Sequence, residues 1–315
     1  MVSLLSKKWG NPSSIHSWGE RAAVVLETAR EQVAGLIHAP TSNDLVFTAG
    51  GTEADNLAIF GVAQQYHSSG PQHLIISQVE HPAIAKPAER LEQLGWQVTR
   101  LPVNQGGLID PEALKSAIQE NTVLISLIYG QSEVGTIQPI ETLAAIAQAH
   151  GIIFHTDAVQ VAGRLPLDVQ SLGVDLLSLS SHKIYGIQGA GALYVKKGVE
   201  LAPFVLGGGQ EMGRRSGTQS LPAIAAFGLA AELANQAMGE ETPRLITLRD
   251  RLFTLLSDCP YLIPTGDKIN RLPHHLSFII EPPMTGKTLV RQLNLAGIGI
   301  SSGSACQSGK LSPST

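Results

Sequence analysis

Seven short apolar runs recur along this chain, most of them separated by longer stretches with helical spacing. They are DLVFTA at 44 to 49, HLIIS at 73 to 77, QVTRL at 97 to 101, TVLISLI at 122 to 128, GIIFH at 151 to 155, DLLSLS at 175 to 180 and GALYV at 191 to 195. The runs are continuous rather than alternating, the pattern of strands covered on both faces. An α/β fold follows: a mostly parallel seven-stranded sheet with helices on both faces. Helices are expected at 19–37, 53–67, 82–94, 111–119 and 141–149, with Asp110 as N-cap and Pro111 at the first position of the fourth. From about residue 240, helices at 243–257 and 286–296 flank a strand-like HLSFII. This divides the chain into a large domain, 1–239, and a smaller, partial α/β domain, 240–315.

With 22 Lys and Arg against 26 Asp and Glu and no basic run, the 315 residues offer no surface for nucleic acid or anionic membrane. A small-molecule partner is expected instead. The two cysteines, Cys259 and Cys306, form no disulfide framework and lack C-x-x-C spacing, which suits a reducing cytoplasm. The opening MVSLLSKKWGNPSS has its lysines after the apolar patch, and no apolar run is long enough to span a bilayer, so neither a signal peptide nor a membrane span is expected.

Ligands of an open α/β sheet sit outside the carboxyl ends of its strands, so the residues following each run are the candidates for chemistry. FTAGGTEADN passes through Gly50 and Gly51 into a helix opened by Thr52 and Glu53. Free N–H groups at a positive helix end suit a phosphate, although a plain glycine turn has the same composition. The turn has neither the third glycine of a dinucleotide fingerprint nor the lysine of a P-loop. His81, just before Pro82, reads as a capping residue or a catalyst.

His155 and Asp157 lie on one face of their strand, with Gln160 beyond, and no third ligand stands at a metal-site spacing. A carboxylate buried there needs a cationic or protonated partner, and the protonated ring nitrogen of a cofactor would serve. Ser180, Ser181, His182 and Lys183 follow the next strand. A loop lysine is usually solvated; beside hydroxyls and a histidine it is also a Schiff-base candidate, since burial frees its amine. The serines and His182 would donate to a phosphate. GGGQEMGRRSGTQS carries Arg214, Arg215 and Thr218, either as plain surface or as an anion-binding loop given to a neighbouring subunit. EPPMTGKTLV imitates a P-loop but has Glu281 where the first glycine belongs, so nucleotide binding is set aside. Cys306 stands among serines and glycines that pack little and leave the backbone free, whereas Cys259 reads as structural.

Taken together, these motifs resemble the cysteine desulfurases of the NifS/IscS type, in the class V aminotransferase group of pyridoxal-phosphate enzymes. The resemblance runs over essentially the whole chain: GNPSSIHSWGERA, FTAGGTEADNLAI, EHPAI, HTDAVQVAG, SSHKIYGIQGAGALYV, GGGQEMGRRSGT and SSGSAC. The last motif is similar to the branch with a long mobile cysteine loop. The resemblance implies a fold-type I transferase with pyridoxal 5'-phosphate on Lys183, His81 stacked on its ring, Asp157 on its ring nitrogen and Gln160 on its phenolic oxygen. Gly51, Thr52, Ser180, Ser181 and His182 would surround the phosphate, with Thr218 reaching in from the other subunit of a homodimer. L-cysteine would be converted to L-alanine, Cys306 would carry the sulfur as a persulfide, and a protein such as an iron–sulfur scaffold would accept it. No metal is implied.

The chain departs from the family where Gln131 and Ser132 of YGQSEVGT replace the family's asparagine beside cofactor and substrate; the Ser132 hydroxyl is the expected substitute. The family's opening strand and its segment beyond the cysteine, with the arginine for the substrate carboxylate, have no counterpart. The expectation is a chain truncated at both ends, with Arg21, Arg214 and Arg215 as the available arginines. Two other functions suit the same motifs: a selenocysteine or cystine lyase, and a catalytically impaired remnant that only dimerises or binds a scaffold.

Overall fold

The protein is described here from a computed structural model covering residues 2–7, 10–66, 69–282 and 284–303. Seven strands, β1 (Leu45–Thr48), β2 (His73–Ser77), β3 (Gln97–Leu101), β4 (Thr122–Ile128), β5 (Ile153–Asp157), β6 (Leu176–Ser180) and β7 (Gly191–Val195), form one sheet in the order β1-β7-β6-β5-β4-β2-β3. β7 is antiparallel to both neighbours and every other pair is parallel. Reversal through the single strand β7 leaves β1 pointing the same way as β6, so six strands end at one edge of the sheet.

All seven expected strands form. β5 starts two residues later than the pattern suggested because α6 (Ile140–Ala149) is closed by a turn in which Gly151 takes φ 67° and the Ile152 N–H donates to Ala147 O. That delay makes Asp157 the last residue of its strand.

Side chains alternate across a strand, and the two faces are covered by different helices. Leu45 and Phe47 join the buried cluster under α2 (Ser17–Leu36), α6 and α8 (Leu221–Leu256), while Val46 joins the one under α3 (Gly51–Gln65) and α4 (Pro82–Gln93). Ile75 and its neighbours Leu74 and Ile76 divide the same way. Three shorter helices complete this part: α1 (Val2–Lys7), α5 (Pro111–Ala117), capped by Asp110 as expected, and α7 (Val169–Leu172).

The expected partition between residues 239 and 240 falls inside α8, which runs unbroken to Leu256. Beyond it, β8 (Leu262–Pro264) pairs antiparallel with β9 (Phe278–Ile280), and α9 (Gly286–Leu295) follows. No helix among the described residues is long and apolar enough to cross a membrane.

Candidate active site

The carboxyl ends of β1 and β6 meet across the first residue of β7: Thr48 and Ser180 are both in register with Gly191. The chain after β1 turns at Gly50, φ 158°, and enters α3, whose N-terminus no side chain caps. The first N–H groups of a helix have no intrahelical acceptor and carry its positive end. A Cβ on Gly51 would stand 3.3 Å from Ser180 Cβ, so this helix end lies directly against β6. Ser180 Oγ is 3.0 Å from His182 Nδ1, and burial together with Lys183 pushes the His182 imidazole below its usual pKa, keeping it neutral. Backbone N–H groups, a hydroxyl and a neutral imidazole thus surround one helix terminus, a donor set for a phosphate.

Next along the edge is Asp157. One of its oxygens accepts from the Val159 N–H at 2.9 Å. Burial pushes its carboxyl upward, partly offset by that N–H and by the charges of His81 and Lys183. His81 caps α4, its Nδ1 accepting from the Ala83 N–H at 3.1 Å, so in the neutral ring the proton sits on Nε2. The capping reading of His81 holds, and the cap places the ring beside two carboxyls: Asp55, His81 and Asp157 each bring one polar atom within 4.8 Å of the others. Lys183, in the turn Ser181–Ile184 that follows β6, is exposed.

The other expected residues are placed less tightly. Ser181 Oγ is buried beside Gly186 and has no hydrogen-bond partner among the described residues. Gln160 is half-buried in the turn after β5, and Thr218 is exposed in its loop. Ser132 lies in the turn after β4, where its carbonyl accepts from His275 Nε2 at 2.9 Å. Arg215 pairs with Glu53 at 2.7 Å in the first turn of α3, while Arg21 donates to Ser17 O. Cys306 lies outside the described residues.

Two groups went unnoticed in the sequence. Asp55, one turn into α3, is almost wholly buried; desolvation first, then repulsion from Asp157, holds its carboxyl well above the usual range, and its Oδ1 has no hydrogen-bond partner among the described residues. Glu80 accepts from Ser77 Oγ at 2.5 Å and from the Ile128 N–H at 3.0 Å, and burial pushes it up to about 8. The only signal for either was proximity to a motif residue, Gly51 for one and His81 for the other. His155, by contrast, is spent on structure: its ring bridges Ser126 and Ser178 at 2.8 and 2.9 Å, and burial depresses it to about 3.

These residues fit pyridoxal phosphate. The uncapped end of α3 with Ser180 and His182 matches its phosphate, and a ring N–H would give the buried Asp157 carboxyl a donor beside the Val159 N–H. Lys183, whose charge is felt at Asp157, offers an amine on the same edge, the group that would take its aldehyde.

The chain belongs to the class V aminotransferase family, a pyridoxal-phosphate-dependent group, and within it to the cysteine desulfurases: the model of the family described as Aminotransferase class-V matches residues 1–313. Among individual relatives, the cysteine desulfurase IscS of Dictyoglomus turgidum is 44% identical over the whole chain and 79% of its own length, and that of Methanosarcina thermophila is 42% identical over the whole chain and 77% of its own. Among solved structures, a NifS-like protein superposes with a TM-score of 0.91 at 33% identity, covering 96% of this chain and 82% of the other. SspA in complex with cysteine gives 0.83 at 34% identity, covering 97% and 85%.

Proposed function

We propose that this chain desulfurates L-cysteine with pyridoxal phosphate held on Lys183, by the balanced exchange L-cysteine plus an enzyme thiol to L-alanine plus an enzyme persulfide, with Cys306 as that thiol. The observation that carries the reading is the alignment along one sheet edge of an uncapped helix end, a buried carboxyl and a lysine. The complex of the related SspA with cysteine supports the substrate.

When bound, the cofactor supplies an electron sink for the substrate's α-carbon electrons. The residues do the rest. The N–H groups of Gly51 and Thr52, with Ser180 and His182, hold the phosphate; Asp157 keeps a proton on the ring nitrogen; Gln160 serves the phenolic oxygen. The Lys183 amine would be the base that takes the α-proton of the substrate. His81 keeps a proton on Nε2 because Nδ1 is occupied by the Ala83 N–H, and so donates toward the ring region. Cys306 attacks as the thiolate, the nucleophilic form of cysteine.

The same reading includes a cytoplasmic homodimer in which Thr218 reaches its partner's phosphate, with a sulfur-accepting scaffold protein for iron–sulfur clusters or thiolated cofactors. Exposed Leu206, Met212, Leu229 and Leu233, apolar side chains on the loop and helix around Thr218, support the dimer. A large domain carrying the cofactor and a smaller one carrying the cysteine loop belong to the same proposal.

The test is purification with pyridoxal phosphate. The yellow absorbance of the bound cofactor is expected, and its loss in Lys183→Ala. Sulfide and alanine should then form from L-cysteine with a reductant, and sulfide should vanish in Cys306→Ala. A colourless protein sinks the proposal, and undiminished sulfide from Cys306→Ala sinks the persulfide step.

A further inference from the structure

The turn between β4 and α6 is held by a segment 137 to 143 residues further along the chain. Within it, the Gln131 side chain accepts from the N–H groups of Glu133 and Val134, at 2.5 and 2.7 Å, which folds residues 131 to 135 tightly. Its position on the molecule is set by the segment after β8. His275 Nε2 lies 2.9 Å from the Ser132 carbonyl; a carbonyl can only accept, so the ring proton is on Nε2. Gly135 has φ 81°, and a Cβ there would come within 2.8 Å of the His275 ring, so ring and turn are in contact with no room for a side chain. Leu272 N donates to Gly135 O at 2.8 Å, and Arg271 Nη1 to Val134 O at 3.0 Å. Arg271 is itself buried, donates to backbone carbonyls, and lies over the Phe253 ring of α8 at 5.1 Å.

We infer that His275, backed by Arg271, is a positioning residue for L-cysteine: it holds the Ser132 turn by its main-chain carbonyl. This rests on the reading of Ser132 as a contact to cofactor and substrate. The physical reason is shared constraint. Gln131 makes the turn rigid in itself, and the bonds from His275, Arg271 and Leu272 fix it as a unit to the segment after β8, with the half-buried His275 ring holding the one carbonyl that belongs to Ser132.

The test uses the cofactor-loaded protein and two readouts. In His275→Phe, which keeps a ring but no donor, amide hydrogen exchange over residues 129–137 should speed up by about tenfold or more, while the strands β4 and β5 stay protected. KM for L-cysteine should rise by about 2- to 10-fold with little change in kcat or in cofactor absorbance. His275→Gln, which retains an N–H donor, should recover most of the loss. Gly135→Ala, whose new Cβ pushes the turn off the ring, should reproduce it with the His275 donor still in the sequence. Unchanged exchange at 129–137 in both His275→Phe and Gly135→Ala overturns the positioning role. Ser132→Ala separates the two claims: if it leaves KM unchanged, the reading of Ser132 is wrong, and the exchange result alone then judges the clamp.

Discussion

The Glu211 carboxylate accepts from both Arg30 Nη atoms, at 2.7 and 3.0 Å, with both side chains buried. It also accepts from Phe47 N in β1 and from Gln219 Nε2, each at 2.9 Å. Burial opposes both charges, but the pair outweighs it: Arg30 is held above and Glu211 below its ordinary pKa. The pair pins the loop that carries Arg215 and Thr218, and it does so although Glu211 and Met212 sit at φ 48° and 56°. Removing one partner strands a buried charge. Arg30→Ala and Glu211→Ala should each lower stability by roughly 3–5 kcal/mol in urea unfolding, while the double change to Met and Leu should cost far less than their sum. Additive losses would show that the pair is not coupled.

Gly191 should be intolerant of any side chain. A Cβ there would come within 2.5 Å of the Gly50 carbonyl carbon, backbone against backbone, with nothing flexible to yield. Gly191→Ala should part β7 from the start of α3 and weaken pyridoxal phosphate binding by about tenfold or more, since the proposed phosphate donors sit on that helix end. A titration of cofactor absorbance measures it; wild-type affinity would mean the phosphate binds elsewhere.

Asp55 and Asp157 should respond in opposite ways to the same isosteric change. Burial, then repulsion from Asp157, pushes the Asp55 carboxyl well above its usual range and so disfavours its charged form, and a neutral amide should replace it at little cost. Asp55→Asn should remain within about 1 kcal/mol of wild type and keep its turnover. Asp157→Asn should still bind the cofactor but lose turnover by about a hundredfold or more, because in the proposed function its charge keeps a proton on the ring nitrogen. Equal losses in both variants would reassign the roles.

Glu80 sets a pH dependence. As a residue it is partly exposed, but its Oε2 is enclosed without a hydrogen-bond partner among the described residues, and burial pushes the carboxyl up from 4.5 to about 8. Between those values the folded chain without ligand holds a proton that the unfolded chain has released, so this contribution to stability is full below 4.5 and is lost as pH rises toward 8. The difference in unfolding free energy between wild type and Glu80→Gln should therefore decline across that window, by at most about 1.4 kcal/mol per pH unit. A difference independent of pH, from guanidinium titrations across the window, contradicts the assignment.

The sheet was legible in the sequence because strands buried on both faces must be apolar throughout, and seven such runs alternate with helical stretches along this chain. The placement of the motif residues at strand ends was legible because the strands themselves were, and a carboxyl buried at such an end, as Asp157 is, costs stability unless something pairs with it. Asp55 and Glu80 were hidden because nothing local distinguishes them from solvated acids; only the packing of α3 and α4 onto the sheet encloses them. β5 was misjudged by two residues because helix termination at Gly151 depends on a left-handed backbone turn that composition alone does not locate.

What the sequence by itself determined is the α/β class, the order of strands along the chain, and the family with its lysine, aspartate and glycine turn, since these depend on pattern and residue chemistry within short windows. What only the tertiary structure decided is adjacency between distant residues. It puts Arg30 on Glu211, Gly191 against Gly50, and His275 on the carbonyl of Ser132. Such contacts follow from strand order and helix packing, which are settled by the burial of the whole core at once rather than by any one segment.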